Sequence, residues 1–522
     1  MRTVGSLLVA LLLSGPGAAQ RSGIDVKEYM ARITLPDSGL AIRGEALVRF
    51  GRQASVDSVL ALDLVGMMVD SVMVSYGRNT RFTYDGRVLR IPLPRGAETN
   101  AFTVLIDYHG TPQDGLIIGL SARGRRVAFV DNWPERARFW LPTVDHPSDK
   151  AMTRFAIQAP AGWRVVANGR LNQTEHGREW DESHPIPVYT MVFGAGEFTV
   201  SHHHPVINGR DTIPIEVWTY PEDSAFADAV PFRRATEIVE VMQRLIGPFP
   251  YEKLAHVQSS TKFGGMENSS AIFYAETAFQ KEPVSESPVP HEIAHQWFGD
   301  SVTPGDWDHL WVSEGFATYF DALFYERLEG ASALKTRMAR AAEPVKEFHL
   351  KRPAPIIDPD LADIPKKLNP FNYQKGAWVL HMLRRLLGDE PFFRAVRAFY
   401  QRHAGGNALT EDVQRVMEAE AGASLATFFR QWFYQPGIPE YRVVWRWDAR
   451  SRQAEVTFEQ AQAGGLFDTP VELSFAVGNA QERRTVRVAE RRQTVRLDLP
   501  GRPSSLVLDP DGWLLHAAAV SP

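Results

Sequence analysis

The hydrophobic period of this chain changes twice, and that double change limits the folds open to it. From about Val26 to Pro205 short runs alternate apolar and polar residues, as in "ALVRF", "VLRIPL" and "FTVLIDYHG", separated by turn signals such as "PDSG" and "YDGR". A period of two marks strands with one buried face. From about Ala225 the spacing becomes helical. Ile238, Val241, Met242 and Leu245 share one face before the break at "GPFP", and "ATYFDALFYERL" and "KGAWVLHMLRRLLG", the latter ended by Gly388, carry the pattern toward Tyr434. After "QPGIPEY" alternation returns in "YRVVWRWDA", "QAEVTF", "VELSFAV" and "QTVRLDL". A chain of 522 residues is too long for a single core. The reading is a multidomain α+β protein: a β-rich N-terminal domain over 20–204, a mostly helical domain over 205–438, and a small antiparallel β-sandwich over 439–522.

The opening "MRTVGSLLVALLLSGPGAAQ" places Arg2 before an apolar core from Val4 to Leu13, then a Gly15-Pro16 break and small residues at Gly17 and Ala19. That order is expected of a signal peptide over 1–19 cleaved after Ala19, with an uncleaved anchor as the alternative; the apolar core is too short to span a bilayer. Export to a periplasm or the medium is therefore expected, with no integral membrane association after cleavage. The chain has no cysteine, so core size rather than disulfides must supply stability, and no thiol is available for a lipid anchor. A formal net charge of −5 without a long Lys/Arg run offers no electrostatic footprint for nucleic acid or an anionic membrane surface.

The chemistry begins at "VPHEIAHQWFGD". On a helix, His291 and His295 lie about 40° apart and one turn up, so both imidazoles can reach one Zn²⁺ at about 2.0–2.1 Å. Glu292 sits about 100° around the same helix, flanking such a metal where a base for the attacking water is needed. Two structural helix histidines would satisfy the same spacing, and a third ligand separates the readings. Nineteen residues after His295, "HLWVSEGFATYFDALF" supplies Glu314 near the start of a second helix. Phe316, Phe320, Leu323 and Phe324 form its apolar stripe, and Glu314, Thr318 and Asp321 its other face. Glu314 completes the His₂Glu set of thermolysin-like zinc enzymes. Asp321, two turns on, either orients a ligating histidine or belongs to a solvated acidic face. "FGGMENSSAIF" is a further oddity, because a glycine pair weakens strand and helix alike. By itself it reads equally as a glycine bulge before a buried strand, with Glu267 solvated.

Taken together, "GGMEN" (Gly264 to Asn268), "HEIAHQWFGDSVTP", "HLWVSEGFATYF" and "NYQKGAWVL", in that order, resemble the zinc aminopeptidases that include aminopeptidase N and leukotriene hydrolase. The resemblance implies a saddle-shaped N-terminal β-domain, a thermolysin-like catalytic domain and a C-terminal sandwich. It implies one Zn²⁺ per chain on His291, His295 and Glu314, with Glu292 as general base to a zinc-activated water. Tyr373 of "NYQKG" corresponds to the family tyrosine that stabilises the oxyanion. Gly264 and Gly265 would form an extended edge to which a peptide adds as a strand, Met266 would line the pocket for its first side chain, and Glu267 would hold its free α-amine. An amine anchor one residue from the metal makes an exopeptidase, acting on peptides with a free N-terminal amine.

Two departures from the family pattern stand out. Many members carry a second amine anchor in the N-terminal domain; here "DNWPERARFWLP" puts Trp133 at that place and leaves Asp131 or Asn132 as substitutes. The family's long C-terminal helical domain has no counterpart in the sequence, which implies a more open cavity. A thermolysin-like endopeptidase and a catalytically silent peptide binder are the competing readings. Elsewhere, "SHHHP" at His202 to His204 reads as a surface turn, His381 as a structural histidine inside an amphipathic helix, and "ERRTVRVAERR" as the solvated face of a strand.

Overall fold

The computed structural model describes residues 24–52, 59–75, 77, 80–93, 101–175, 177–279 and 288–522; the expected leader over 1–19 lies outside them. Alternating residues build the N-terminal region. Its largest sheet has seven strands in the order Arg170–Thr174, Gly177–Pro187, Lys150–Gln158, Ile24–Thr34, Ile42–Arg52, Ala101–Gly110, Met68–Val74. Neighbours are antiparallel except Ile24–Thr34 beside Lys150–Gln158. In Ala101–Gly110 the period of two is literal: Phe102, Val104, Ile106 and Tyr108 are buried. A four-stranded sheet follows, in the order Arg164–Ala167, Phe193–Gly196, Arg126–Val130, Leu116–Leu120.

The helical region begins with a five-stranded mixed sheet in the order Thr199–Asn208, Asp211–Thr219, Leu254–Ser259, Ala271–Ala275, Gly265–Met266. The sequence reading placed mainly helices after Ala225; it marked Gly264 and Gly265 as an extended edge, with a buried strand beyond them as one alternative, and left Leu254–Ser259 unmarked. The reason is burial: every residue of Leu254–Ser259 and most of Ala271–Ala275 are covered on both faces, so no alternation marks them. "SHHHP" is also corrected, because His202 to His204 lie within strand Thr199–Asn208 rather than in a turn. A register shift between His203 and Val206 absorbs Pro205, and pairing resumes beyond it. The glycine-containing stretch Gly265–Met266 is the edge of this sheet, pairing antiparallel with Phe273 and Tyr274.

Helices Val289–His295, Trp311–Glu329, Ala331–Lys351, Gly376–Leu387 and Asp389–His403 make the bulk of the region. Trp311–Glu329 is buried nearly all round from Trp311 to Tyr325, an interior helix rather than a striped one. It meets the start of Gly376–Leu387 backbone to backbone: a Cβ on Gly315 would lie 3.0 Å from Gly376 Cα. Glycine at both positions permits that approach. Gly388, at φ 86°, ends the second helix.

Seven further strands form two sheets near the C-terminus, one of Arg492–Asp498, Gln453–Gln460, Glu440–Asp448 and Ala517–Ser521, the other of Ala480–Val488, Thr469–Val477 and Ser505–Leu508. Buried side chains tie the regions together. His381 Nε2 lies 3.1 Å from the Gly512 carbonyl with its ring stacked 4.3 Å over Trp513, a structural role, and Lys150 Nζ donates to the carbonyls of Asp300 and Ser301 at 2.8 Å each. No helix among the described residues is long and apolar enough to cross a membrane.

Candidate active site

Pro290 in the first turn of Val289–His295 is where a helix tolerates proline, since its missing N–H would have no intrahelical partner. From that start the i, i+4 spacing stacks the two imidazoles. The Nε2 atoms of His291 and His295 are 3.0 Å apart with the rings nearly perpendicular. Helix Trp311–Glu329 delivers Glu314, whose Oε2 is 3.3 Å from both nitrogens. Three ligands about 2.0–2.1 Å from a tetrahedral centre stand about 3.3 Å from one another. Glu314 Oε2 is buried and has no hydrogen-bond partner, so the triangle holds an orphaned carboxylate oxygen facing two ring nitrogens. These donors fit a zinc-class cation.

Neighbouring groups orient the buried histidine. His295 Nδ1 faces the Phe298 carbonyl at 3.1 Å and Ser313 Oγ at 3.0 Å, which puts the ring proton on Nδ1 and leaves the Nε2 lone pair toward the triangle. When the two histidines carry a proton instead of a metal, burial still pushes the Glu314 carboxyl up, but their charge outweighs it and holds it at about 2. Glu292, on the same helix, is buried, and burial with the charges of Glu267 and Glu314 raises it to about 8 against the pull of His295. Burial raises Glu267 too. Asp321 differs from expectation: Arg337 Nη1 donates to its Oδ2 at 3.1 Å, and no hydrogen bond to either histidine is found among the described residues. Arg337, on the next helix, takes Oδ2, while Oδ1 stays buried within electrostatic reach of His291; the Phe298 carbonyl orients His295.

Glu267 follows the edge strand, and its carboxylate, that of Glu292 and a ring nitrogen of His295 lie within 4.8 Å of one another. The glycine pair resolves into two different positions. Around Gly264 there is open space, whereas a Cβ on Gly265 would stand 2.2 Å from Glu292 Oε1. The side chain missing at Gly265 is therefore where the Glu292 carboxylate lies. Tyr373 sits on a π-helical turn, Phe371–Lys375, with its ring stacked 6.0 Å from His291 and its hydroxyl donating to Glu314 Oε1 at 2.8 Å. Met266, Glu267, Trp133, Phe263, Leu368 and Tyr373 join the triangle and Glu292 around one cavity of about 90 Å³.

Neither substitute for a second amine anchor faces that cavity with a free group. Asp131 is held by Arg136, Thr261 and the Lys262 amide, and Asn132 spends its amide on the Val188 and Met191 carbonyls and accepts from Trp140 Nε1. Trp133 is the wall residue, edge-on to Phe263 and Trp307. Sequence reasoning also missed Gln296. Fully buried, it donates to the Glu267 carbonyl at 3.1 Å and to Asp300 Oδ2 at 2.9 Å, and accepts from the Ser270 amide at 2.7 Å. It fixes the segment bearing Glu267 to the helix bearing the histidines. Its signal was its place next to His295; Leu368 left none.

The chain matches the peptidase M1 N-terminal domain over residues 27–189 and the peptidase family M1 domain over residues 232–432. It is 26% identical over 423 residues to the leucyl aminopeptidase of Saccharolobus solfataricus, covering 74% of this chain and 51% of that protein. It is 26% identical over 319 residues to aminopeptidase N of Streptomyces lividans, covering 58% of this chain and 37% of that one. The chain thus spans about half the length, or less, of these relatives. Its fold matches the crystal structure of Legionella pneumophila aminopeptidase A in complex with aspartic acid with a TM-score of 0.81 at 19% identity, over 96% of this chain and 60% of that one. Both matched regions follow in the family's order, and the second contains the histidine pair, Glu314 and Tyr373: the chain belongs to peptidase family M1.

Proposed function

We propose that this chain hydrolyses the N-terminal peptide bond of peptides that carry a free α-amine. The observation that carries the proposal is the convergence of His291, His295 and Glu314 on one point, with an orphaned Glu314 oxygen, in a cavity that also holds Glu267, Glu292 and Tyr373. Zn²⁺ held by the three ligands would supply Lewis acidity, polarising the scissile carbonyl and acidifying water. Glu292 accepts the proton of the attacking water and returns it to the leaving amine, from a buried carboxylate that lines the same cavity as the three ligands. The Tyr373 hydroxyl, within the same cavity, donates to the oxyanion as it forms. Glu267 binds the α-ammonium, while Met266 and the aromatic wall of Trp133 and Phe263 receive the first side chain. With the amine fixed beside the triangle, an internal peptide bond has no charge partner for Glu267. We place this reaction after export, on the reading of residues 1–19 as a signal peptide.

The test compares one peptide in free and N-acetylated forms, followed by mass. Stepwise loss of single N-terminal residues from the free form alone, stopped by a chelator, is the expected result. Internal cuts in both forms would instead assign endopeptidase chemistry, and no cleavage of either would return the chain to peptide binding.

A further inference from the structure

A second cluster of metal-ligating side chains lies apart from the active cavity, and none of its members lines that cavity. Strand Gly177–Pro187 pairs with Lys150–Gln158 until Glu182 faces Thr153, and pairing resumes only at Ile186 opposite Ala151, so Ser183, His184 and Pro185 bulge out of the ladder. The bulge turns His184 toward Glu252, in the bend that leads into strand Leu254–Ser259. His184 Nδ1 is 3.1 Å from Glu182 Oε1 and 3.4 Å from Glu252 Oε1, and one donor atom from each residue lies within 4.8 Å of the others. The Glu182 side chain is fully buried, that of Glu252 is partly buried and that of His184 is 48% exposed, so the group opens to solvent mainly on the imidazole side.

The hydrogen bonds are unevenly spread over these carboxylates. Glu182 Oε1 accepts from the His184 amide at 3.1 Å, and Glu252 Oε1 from the Ser183 amide at 3.2 Å and from Ser183 Oγ. Both Oε2 atoms are buried, and among the described residues no N–H or hydroxyl donates to either; the two carboxyls face each other. Lys253, the nearest cation in sequence, spends its ammonium on the Ala167 and Ser270 carbonyls and lies 5.2 Å from the Trp180 ring. A protonated His184 offers one N–H on this side, and it points at the two oxygens already served. Each carboxylate has one buried oxygen without a donor, and its other oxygen stands 3.1 or 3.4 Å from the same imidazole nitrogen, a separation that ligands sharing one divalent cation adopt.

We propose that Glu182, His184 and Glu252 form a second, structural binding site for a zinc-class divalent cation. The site clamps the seven-stranded sheet of the N-terminal region to the segment that carries the five-stranded sheet and its edge strand. One imidazole and two carboxylates suit zinc, and the exposed imidazole side leaves room for water to complete the shell.

The test uses the full chain, stripped of metal, reloaded with Zn²⁺ alone, and passed into zinc-free buffer before zinc is counted by atomic emission. Glu182→Gln keeps the size and one carbonyl acceptor, and His184→Ala alters a half-exposed ring, so the second remains informative if the first fails to fold. Each is expected to lose one equivalent of zinc relative to wild type, and the His291→Ala/His295→Ala chain to keep one equivalent. Added Zn²⁺ should also raise the Tm of that active-site variant, and this rise should vanish when His184→Ala is combined with it. Unchanged zinc content in both cluster variants would overturn the proposal and assign the two facing carboxyls a shared proton instead, as would a zinc-free His291→Ala/His295→Ala chain.

Discussion

Replacing Gly315 by alanine tests whether the helix contact beside Glu314 sets the geometry of the site. The new methyl would stand 3.0 Å from Gly376 Cα, 3.1 Å from Gly376 C and 3.2 Å from the Trp311 ring. Carbon atoms rest about 3.5–4.0 Å apart, so the two helices must separate by about 0.5–1 Å. Overpacking of this kind costs about 1–3 kcal/mol. Alanine regains about 1 kcal/mol of helix propensity, leaving a net loss of about 0–2 kcal/mol. The functional effect is expected to be larger than the effect on stability. Tyr373 enters the site from the turn just before Gly376, and Glu314 precedes Gly315, so the same separation lengthens the 2.8 Å bond between them. At about 3.3–3.8 Å that bond lies outside the O–H···O range. A catalytic group displaced by about 1 Å loses about 10²-fold in rate. We therefore expect Gly315→Ala to fold, to retain zinc, and to lower kcat on a free-amine peptide by about 10²-fold. Gly376→Ala, which fills the contact from the other side, should do the same, and the double variant should lose little more than either single one. If kcat stays within about 3-fold of wild type while Tm falls by several degrees, the contact serves packing alone and the reasoning fails.

Four further outcomes follow from the same geometry. Tyr373→Phe keeps the ring stacked on His291 and should lower kcat by about 10²–10³-fold with KM and zinc content little changed, as steady-state kinetics and metal analysis would show. Glu292→Ala should leave zinc bound and reduce turnover by about 10²–10⁴-fold; near-normal turnover would remove Glu292 from the role of base. Glu267→Ala should raise KM and lower kcat for free-amine peptides, and identical kinetics before and after the change would refute the amine anchor. Lys375 is fully buried, donates to the Gly437 carbonyl at 2.7 Å, and is lowered by burial from 10.5 to about 7. Between those values the unfolded chain binds the extra proton, so this group makes stability rise with pH, by up to about 1.4 kcal/mol per unit. Lys375→Met should lack that rise when the unfolding of both proteins is compared at pH 7 and 9, and parallel curves would contradict it.

Whether a feature could be read from the sequence depended on whether its geometry is local. His291 and His295 were legible because an i, i+4 pair on a helix has one possible relation in space. The alternating strands were legible because one face meets solvent, and Leu254–Ser259 was not because neither face does. Asp321 was placed on the correct helix, yet its partner, Arg337, belongs to the next helix, and no spacing along one helix discloses what crosses it. The same limit applied to the cavity wall, where Trp133, Phe263 and Leu368 arrive from three distant segments, and to the second cluster, where His184 and Glu252 meet only because the ladder bulges.

The glycines show how a motif letter acquires a physical cause. Gly315 and Gly376 sit in separate motifs, "SEGFA" and "NYQKG", each of which reads as a helix start with an unexplained glycine. In the fold they are a single contact, and its closeness lets a carboxylate on one helix meet a phenol on the other. Gln296 performs the equivalent task on the opposite side, bonding the Glu267 segment to the histidine helix through a side chain with no exposed surface. The positions of His291 and His295 are therefore set by helix periodicity. Those of Glu314, Tyr373 and Glu267 are set by contacts between elements, and on the proposed function substitutions at Gly315, Gly376 and Gln296 should alter turnover without touching an atom of the substrate.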